Sequence, residues 1–268
     1  MMNEEHRLLL PGTYNLRYAG GYHNQDGRWV LPFRLFRSDS LHELSAEGQR
    51  VLLGYGLRTV IDLRREGERL AEPNVLAVVP QVCYQPMPLY NSWWEIAPEG
   101  EPPESLLLLY QTIVDRCQEA LGAVLHAAAQ PHSFPLLVHC KVGKDRTGIV
   151  IALLLGAIGV PYEIIVADYA VSQHYLEPLV PELMAVAQRD GLNLERYARL
   201  LESPAETMQG LLAYLDSAYG GIPAYLTRLG LTAEHLQQLR GQLLLPYEST
   251  SYYSQQKNSY TENTEVKT

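Results

Sequence analysis

Leu136-Leu137-Val138-His139-Cys140-Lys141-Val142-Gly143-Lys144-Asp145-Arg146-Thr147-Gly148 is the stretch on which the reading of this chain turns. Leu136 to His139 forms a short apolar run, as in a strand buried on both faces. From Thr147 an apolar helical pattern begins, and it stops at Pro161. Between them lies a short loop, Cys140 to Arg146, with Gly143 inside it. A strand that feeds a loop and then a helix aims the helix's unsatisfied N–H groups and positive dipole end at that loop.

The same alternation continues upstream. Thr59 to Leu63 reads as a buried strand, and a second is expected near Val82-Cys83-Tyr84. A short helix is predicted from Ala46 to Leu53, capped by Ser45 and stopped by Gly54 and Gly56. Residues 20–38 alternate turn signals with apolar residues, predicting a hairpin or an irregular β segment. Residues 91–104 read as an irregular surface loop, followed by a helix from Ser105 to about Ala129. After Pro161 the pattern is helical throughout, over 161–173, 178–190, 193–201, 205–219, 222–229 and 232–244. The prediction is an α/β fold, a central mostly parallel sheet flanked by helices, with a helical C-terminal half. Residues 1–246 are expected to form a single domain. The Ser/Thr/Tyr/Asn-rich residues 247–268 are expected to be a disordered polar tail.

Composition narrows the partners. The chain has 268 residues, a formal net charge of -9 and a pI near 5.4, which argues against nucleic-acid binding. Four lysines occur, and two of them, Lys257 and Lys267, lie in the polar tail. The other two, Lys141 and Lys144, are both in the loop, so positive charge is concentrated where an anion would sit. Cys83, Cys117 and Cys140 have neither disulfide nor zinc spacing, which suits a reducing compartment. The first residues lack the cationic start and apolar run of a secretory signal, and the run 148–160 is too short for an integral membrane segment. A cytoplasmic location is expected, with export by a signal-independent route left open.

A phosphate ester placed in the loop gives each part a task. Backbone N–H groups of Val142, Gly143 and their neighbours form a nest for oxygens, and Gly143 lets the backbone turn where a side chain would crowd the anion. Arg146 presents a planar guanidinium that grips two oxygens. A thiol at a helix N-terminus among cations ionises more readily than a free one, so Cys140 is the candidate nucleophile. Thr147 is placed to donate its hydroxyl to the sulfur, and His139 to fix the loop through backbone carbonyls. None of this chemistry requires a metal or cofactor. A nucleotide-binding phosphate loop fails, because Asp145 stands where a Ser or Thr would hold magnesium and Val138 where the first glycine belongs.

At these residues the chain resembles the cysteine phosphatase superfamily, whose signature is Cys, five residues, Arg, then Ser or Thr. More narrowly it resembles the atypical bacterial protein-tyrosine phosphatases of type B, with a lipid-phosphatase-like loop that carries Gly-Lys-Asp-Arg-Thr-Gly, here Gly143 to Gly148. Asn15-Leu16-Arg17 with Gly20-Gly21, Phe36-Arg37-Ser38, Val60 to Arg64 with Glu66, Asp168-Tyr169 and Tyr219-Gly220-Gly221 match family segments in order, over roughly residues 7–245. The resemblance implies the cysteine phosphatase fold and metal-independent hydrolysis of phosphomonoesters. Lys141 gives the loop the form Cys-Lys-x-Gly-Lys-x-Arg, as in phosphoinositide phosphatases. Lys141, Val142, Gly143, Lys144 and Thr147 are therefore expected to bind substrate, a phosphorylated protein or a phosphoinositide. The alternative for Lys141 is solvent or a pair with an acidic neighbour.

The leaving oxygen needs a proton, and in this superfamily an Asp usually supplies it. No Trp-Pro-Asp sequence exists here. Asp62, at a strand end, is the first candidate and Asp145, within the loop, the second. The competing role for Asp62 is an ion pair with Arg37, Arg64 or Arg65. Two readings compete with the enzyme: a non-catalytic phosphate-binding module, and a sulfur-transfer or arsenate-reducing enzyme that would need a second cysteine within reach.

Overall fold

A computed structural model of the chain describes residues 6–96 and 105–246. The polar tail, the first residues and part of the 91–104 segment lie outside these described residues.

Five strands form one sheet: β1 (Arg17–Tyr18), β2 (Leu35–Ser38), β3 (Thr59–Asp62), β4 (Cys83–Pro86) and β5 (Leu136–His139). Their spatial order is β1-β2-β5-β3-β4, with β1 antiparallel to β2 and every other pair parallel. The signature strand β5 is therefore central, and all four of its residues are fully buried. Alternate residues serve opposite faces. Leu35, Ile61, Leu136 and Val138 belong to the large helical core, while Phe36, Val60 and Leu137 pack on the other side with Leu16, Leu52 and Leu76.

The smaller layer is closed by α1 (Ala46–Gly54), capped as expected by Ser45, whose hydroxyl accepts from Gly48 N–H at 3.1 Å. A short helix, α2 (Glu66–Ala71), follows β3 and was not signalled by sequence, because it buries no residue and so has no apolar stripe to read. A 3-10 turn spans Val75–Val78, and α3 covers Trp93–Ile96. On the other face lie α4 (Leu106–Arg116), α5 (Gln118–Ala129) and α6 (Asp145–Ala157). Helix α6 is buried on nearly all sides, as its continuous apolar sequence requires. The helical C-terminal half comprises α7 (Tyr162–Ala170), α8 (Ser172–Leu176), α9 (Val180–Arg189), α10 (Leu194–Leu201), α11 (Ala205–Tyr219), α12 (Ile222–Arg228) and α13 (Ala233–Leu243).

Two expectations are corrected, each by a tertiary contact. The helix predicted over 105–129 is two helices meeting at Cys117. The Val114 carbonyl, which an unbroken helix would give to Gln118 N–H, accepts instead from the buried Tyr225 hydroxyl at 2.5 Å. The segment 161–173 likewise divides, because the Asp168 carbonyl accepts from Arg17 Nη2 at 2.7 Å in place of Ser172 N–H. Residues 20–38 take the irregular form of the two offered by the sequence. A single antiparallel bridge joins His23 to Trp29, and the chain then enters the sheet as β2.

Candidate active site

Strands β2, β3 and β5 run in parallel, so Ser38, Asp62 and His139 lie side by side at their C-terminal ends. Ligands of open α/β sheets bind at such ends, and here the loop Cys140–Arg146 emerges between β5 and α6. Lys144 is the N-cap of α6 without any side-chain cap bond, which leaves the helix's first N–H groups directed at the loop. Gly143 has φ +68°, and a Cβ there would lie 2.3 Å from the Ser38 carbonyl oxygen. The glycine is thus demanded by the end of β2 pressing on the loop, and not by the anion alone.

The segments flanking the loop in space are those that the sequence scatters. The Asn15 side-chain amide donates to the carbonyls of Val142 at 3.0 Å and Gly143 at 3.1 Å. Arg37 Nη2 donates to the Gly143 carbonyl at 2.8 Å, and Arg37 also pairs with Asp168. Asp168 accepts from Arg17 Nε at 3.1 Å. All three ionic groups are essentially fully buried. Burial and the Arg37 charge pull Arg17 down to about 10, while the two guanidinium groups overcome burial to hold Asp168 below its ordinary range. Two buried cations against one carboxylate leave excess positive charge beneath the loop.

Arg146 is reached by Glu68 of α2. Its Nη1 and Nη2 donate to Glu68 Oε2 and Oε1 at 2.7 and 2.8 Å, and Nη1 also reaches the Leu63 carbonyl at 3.2 Å. Burial would raise the Glu68 pKa, but the Arg146 hydrogen bonds and charge hold it at about 2. Burial opposes the charge of Arg146, yet its Glu68 bonds and the nearby Cys140 raise it above its ordinary value. Glu68 was missed at the level of sequence, since a Glu in an unpatterned segment carries no signal of its partner. Cys140 is 1 % exposed, and Thr147 is buried with no hydrogen-bond partner for its hydroxyl, so the expected bond to sulfur is not formed.

The two aspartates fare differently. Asp62 is fully buried and takes Arg64 Nε and Nη2 at 3.0 and 2.7 Å, with the Tyr84 hydroxyl at 2.8 Å. Burial would raise its pKa, but the hydrogen bonds and charge of the Arg64 guanidinium hold it well below the ordinary carboxylate range. The Arg64 backbone N–H also donates to Asp62 Oδ1 at 3.0 Å, so this carboxylate sits buried in an ion pair at the strand end. Asp145, the first residue of α6, keeps a partly exposed carboxylate. Its Oδ1 accepts from the Tyr110 hydroxyl at 2.7 Å, and Tyr110 lies 2.9 Å from the Tyr169 hydroxyl.

The lysines also diverge from expectation. Lys144 is fully buried and donates to the carbonyls of Leu200 and Glu202 at 2.5 and 2.6 Å, closing the C-terminal end of α10 rather than facing the nest. Its carboxylate neighbour Asp145 is 3.3 Å away. Lys141 is paired with Glu72, the acidic neighbour of the alternative reading. Lys141 and Glu72 border a cleft of about 460 Å³ that α2, Arg65 and Asn91 complete. Cys83 and Cys117 are free thiols, and no group of three or more metal-ligating side chains occurs among the described residues.

A model of the tyrosine phosphatase family matches residues 8–245, which takes in the loop and every segment that contacts it. The chain belongs to the tyrosine phosphatase family. It is 31% identical over 214 residues to a tyrosine-protein phosphatase of Nostoc commune, covering 77% of this chain and 73% of that one. It is 29% identical over 281 residues to the triple specificity protein phosphatase PtpB of Mycobacterium tuberculosis, covering 88% of this chain and 98% of the relative. The α/β fold stands with this membership, and the chain is a phosphatase, a hydrolase of phosphate esters. No helix among the described residues is long and apolar enough to cross a membrane.

Proposed function

We propose that this tyrosine phosphatase hydrolyses phosphomonoesters through a phosphocysteine on Cys140, with Arg146 gripping the phosphoryl group and Asp145 as proton donor. The loop at the end of β5 carries this reading, because it brings a buried cysteine, a fixed guanidinium and free helix N–H groups to one point. The Cys140 thiolate attacks phosphorus in line, an S–P bond forms, and the bond to the leaving oxygen breaks as that oxygen takes the proton of Asp145. Water then attacks phosphorus, the S–P bond breaks to return the thiolate, and Asp145 recovers a proton from the water. Tyr110 and Lys144 lie against Oδ1 of Asp145, so the proton is carried on Oδ2.

The proposed substrates are phosphotyrosine proteins, with phosphoserine, phosphothreonine and phosphoinositides as further classes; the mycobacterial relative is named a triple specificity protein phosphatase. A second phosphate would be met by Lys141 and Arg65 in the cleft beside the loop. Lys144 is already committed to the α10 carbonyls. The cytoplasm is the proposed location. Cys140→Ser tests the mechanism: it removes an ionisable thiol but keeps the loop's shape, so turnover of an aryl phosphate should vanish while binding persists. Retained turnover would end the phosphocysteine reading, and an inactive wild-type protein that binds phosphate would favour the non-catalytic module. Lys141→Ala, assayed on a phosphotyrosine peptide and a phosphoinositide at two salt concentrations, tests the lipid arm. Equal losses with equal salt dependence would defeat it.

A further inference from the structure

The His139 ring lies between two neighbours of opposite demand. Its Nδ1 is 3.1 Å from the Cys140 carbonyl oxygen, which only accepts, so Nδ1 must carry a proton to bond it. Its Nε2 is 2.9 Å from Asn74 Nδ2, and the orientation of that amide is fixed independently. Asn74 Oδ1 accepts from Leu76 N–H at 2.8 Å, capping the 3-10 turn, and this leaves the NH2 group to point at His139. An amide NH2 only donates, so Nε2 must be the bare, accepting nitrogen.

The charged groups that face the ring are consistent with this. Asp62 Oδ2 is 3.4 Å from Nε2, but that oxygen already accepts from Arg64 and from the Tyr84 hydroxyl. Arg64 in turn reaches the Ser40 hydroxyl and the Glu72 carbonyl. The Asp62 charge is thus answered without a second proton on His139. Both His139 and Asp62 are fully buried.

We infer that Asn74 is a positioning residue of the catalytic loop: its amide NH2 fixes His139 as the neutral Nδ1–H tautomer, which anchors the Cys140 carbonyl. Without the Asn74 donor, Nε2 is left facing the Asp62 carboxylate and competes for the proton. When the single proton of the neutral ring sits on Nε2, the Nδ1 lone pair opposes the Cys140 oxygen. The consequence for rate rests on Cys140 being the nucleophile, whereas the state of the ring does not.

Asn74→Asp separates this role from helix capping, because a carboxylate still accepts Leu76 N–H but cannot donate to Nε2. The measurement is ¹⁵N NMR of the His139 imidazole in the full chain, with kcat/KM on an aryl phosphate, from about pH 5.5 to about pH 8.5. In the wild type one protonated and one bare nitrogen are expected throughout, with no ionisation of His139 in kcat/KM. In Asn74→Asp the ring should gain a proton on Nε2 and titrate, and kcat/KM should gain a new fall with rising pH of about tenfold, the worth of one buried hydrogen bond. A wild-type ring that is doubly protonated, or protonated on Nε2 alone, would overturn the inference. So would an Asn74→Asp variant with the wild-type ring signal and pH profile, since a purely structural cap predicts that result. If the variant fails to fold, the wild-type ring signal alone still decides. A wild-type ring signal as expected in a protein inactive toward phosphate esters would leave Asn74's role standing and refute the proposed reaction instead.

Discussion

Replacing Glu68 by Gln removes the carboxylate that grips Arg146 while keeping its shape, and the structure sets the size of the effect. The Glu68 pKa falls from 4.5 to about 2 on folding, net of burial, because Arg146 donates to both of its oxygens. At about 1.4 kcal/mol per pH unit this corresponds to about 3 kcal/mol. The pair is partly open to solvent, and screening reduces the usable figure to about 1–2 kcal/mol. The folded pKa is depressed, so this stability is fully present above pH 4.5 and is lost as pH falls through about 2. Glu68→Gln should therefore be less stable than the wild type by about 1–2 kcal/mol near neutrality, and the gap should close toward about pH 2. Glu68 occupies the Nη1–Nη2 end of the guanidinium and leaves Nε and the outer Nη2 hydrogen for phosphate. Freed of that clamp, Arg146 should lose its alignment, and kcat/KM should fall about ten- to a hundredfold. Urea denaturation at several pH values together with steady-state kinetics on an aryl phosphate gives both readouts. A rise in kcat/KM would show that Glu68 merely competes with phosphate for Arg146, and a stability gap that persists undiminished in acid would refute the ion-pair account.

Asp145→Asn should lower kcat by about 10²–10⁴ for an alkyl phosphate and much less for a substrate with an acidic leaving group, as expected of a lost proton donor. Asp62→Asn should instead cost about 3–5 kcal/mol of stability by leaving the buried Arg64 uncompensated; a leaving-group dependence there, with stability intact, would make Asp62 the acid. Arg146→Lys keeps the charge but loses the planar fork, so both vanadate affinity and turnover should drop steeply, and near-normal kinetics would mean another group holds the phosphate. Gly143→Ala places a methyl group 2.3 Å from the Ser38 carbonyl at a φ of +68°. It should reduce activity more than Gly67→Ala, whose added Cβ meets nothing within 4 Å; equal activity of the two would refute the tight contact.

Much of this protein is written in one contiguous stretch. The strand Leu136–His139, the loop Cys140–Arg146 and the apolar helix after it are adjacent in sequence, so both the central strand and the loop at its end follow from local pattern. The parallel character of the sheet was legible as well, because its strands are apolar runs separated by helical segments. Tertiary structure decided everything that depends on which distant group arrives. Tyr225 and Arg17 divide helices that propensity alone would continue, by taking carbonyls those helices would have used. Asp62 and Asp145 are equivalent as residue types, and only their surroundings separate them. Arg64, Tyr84 and a fully buried position make the first an ion-pair anchor, whereas the second, at a helix start, keeps a partly exposed carboxylate bonded by the Tyr110 hydroxyl. The same holds for the two lysines, one drawn to Glu72 and the other to the end of α10. Composition states how much charge a loop carries. The direction in which each charge points is fixed by the partners that folding brings within about 3 Å, where hydrogen bonds form.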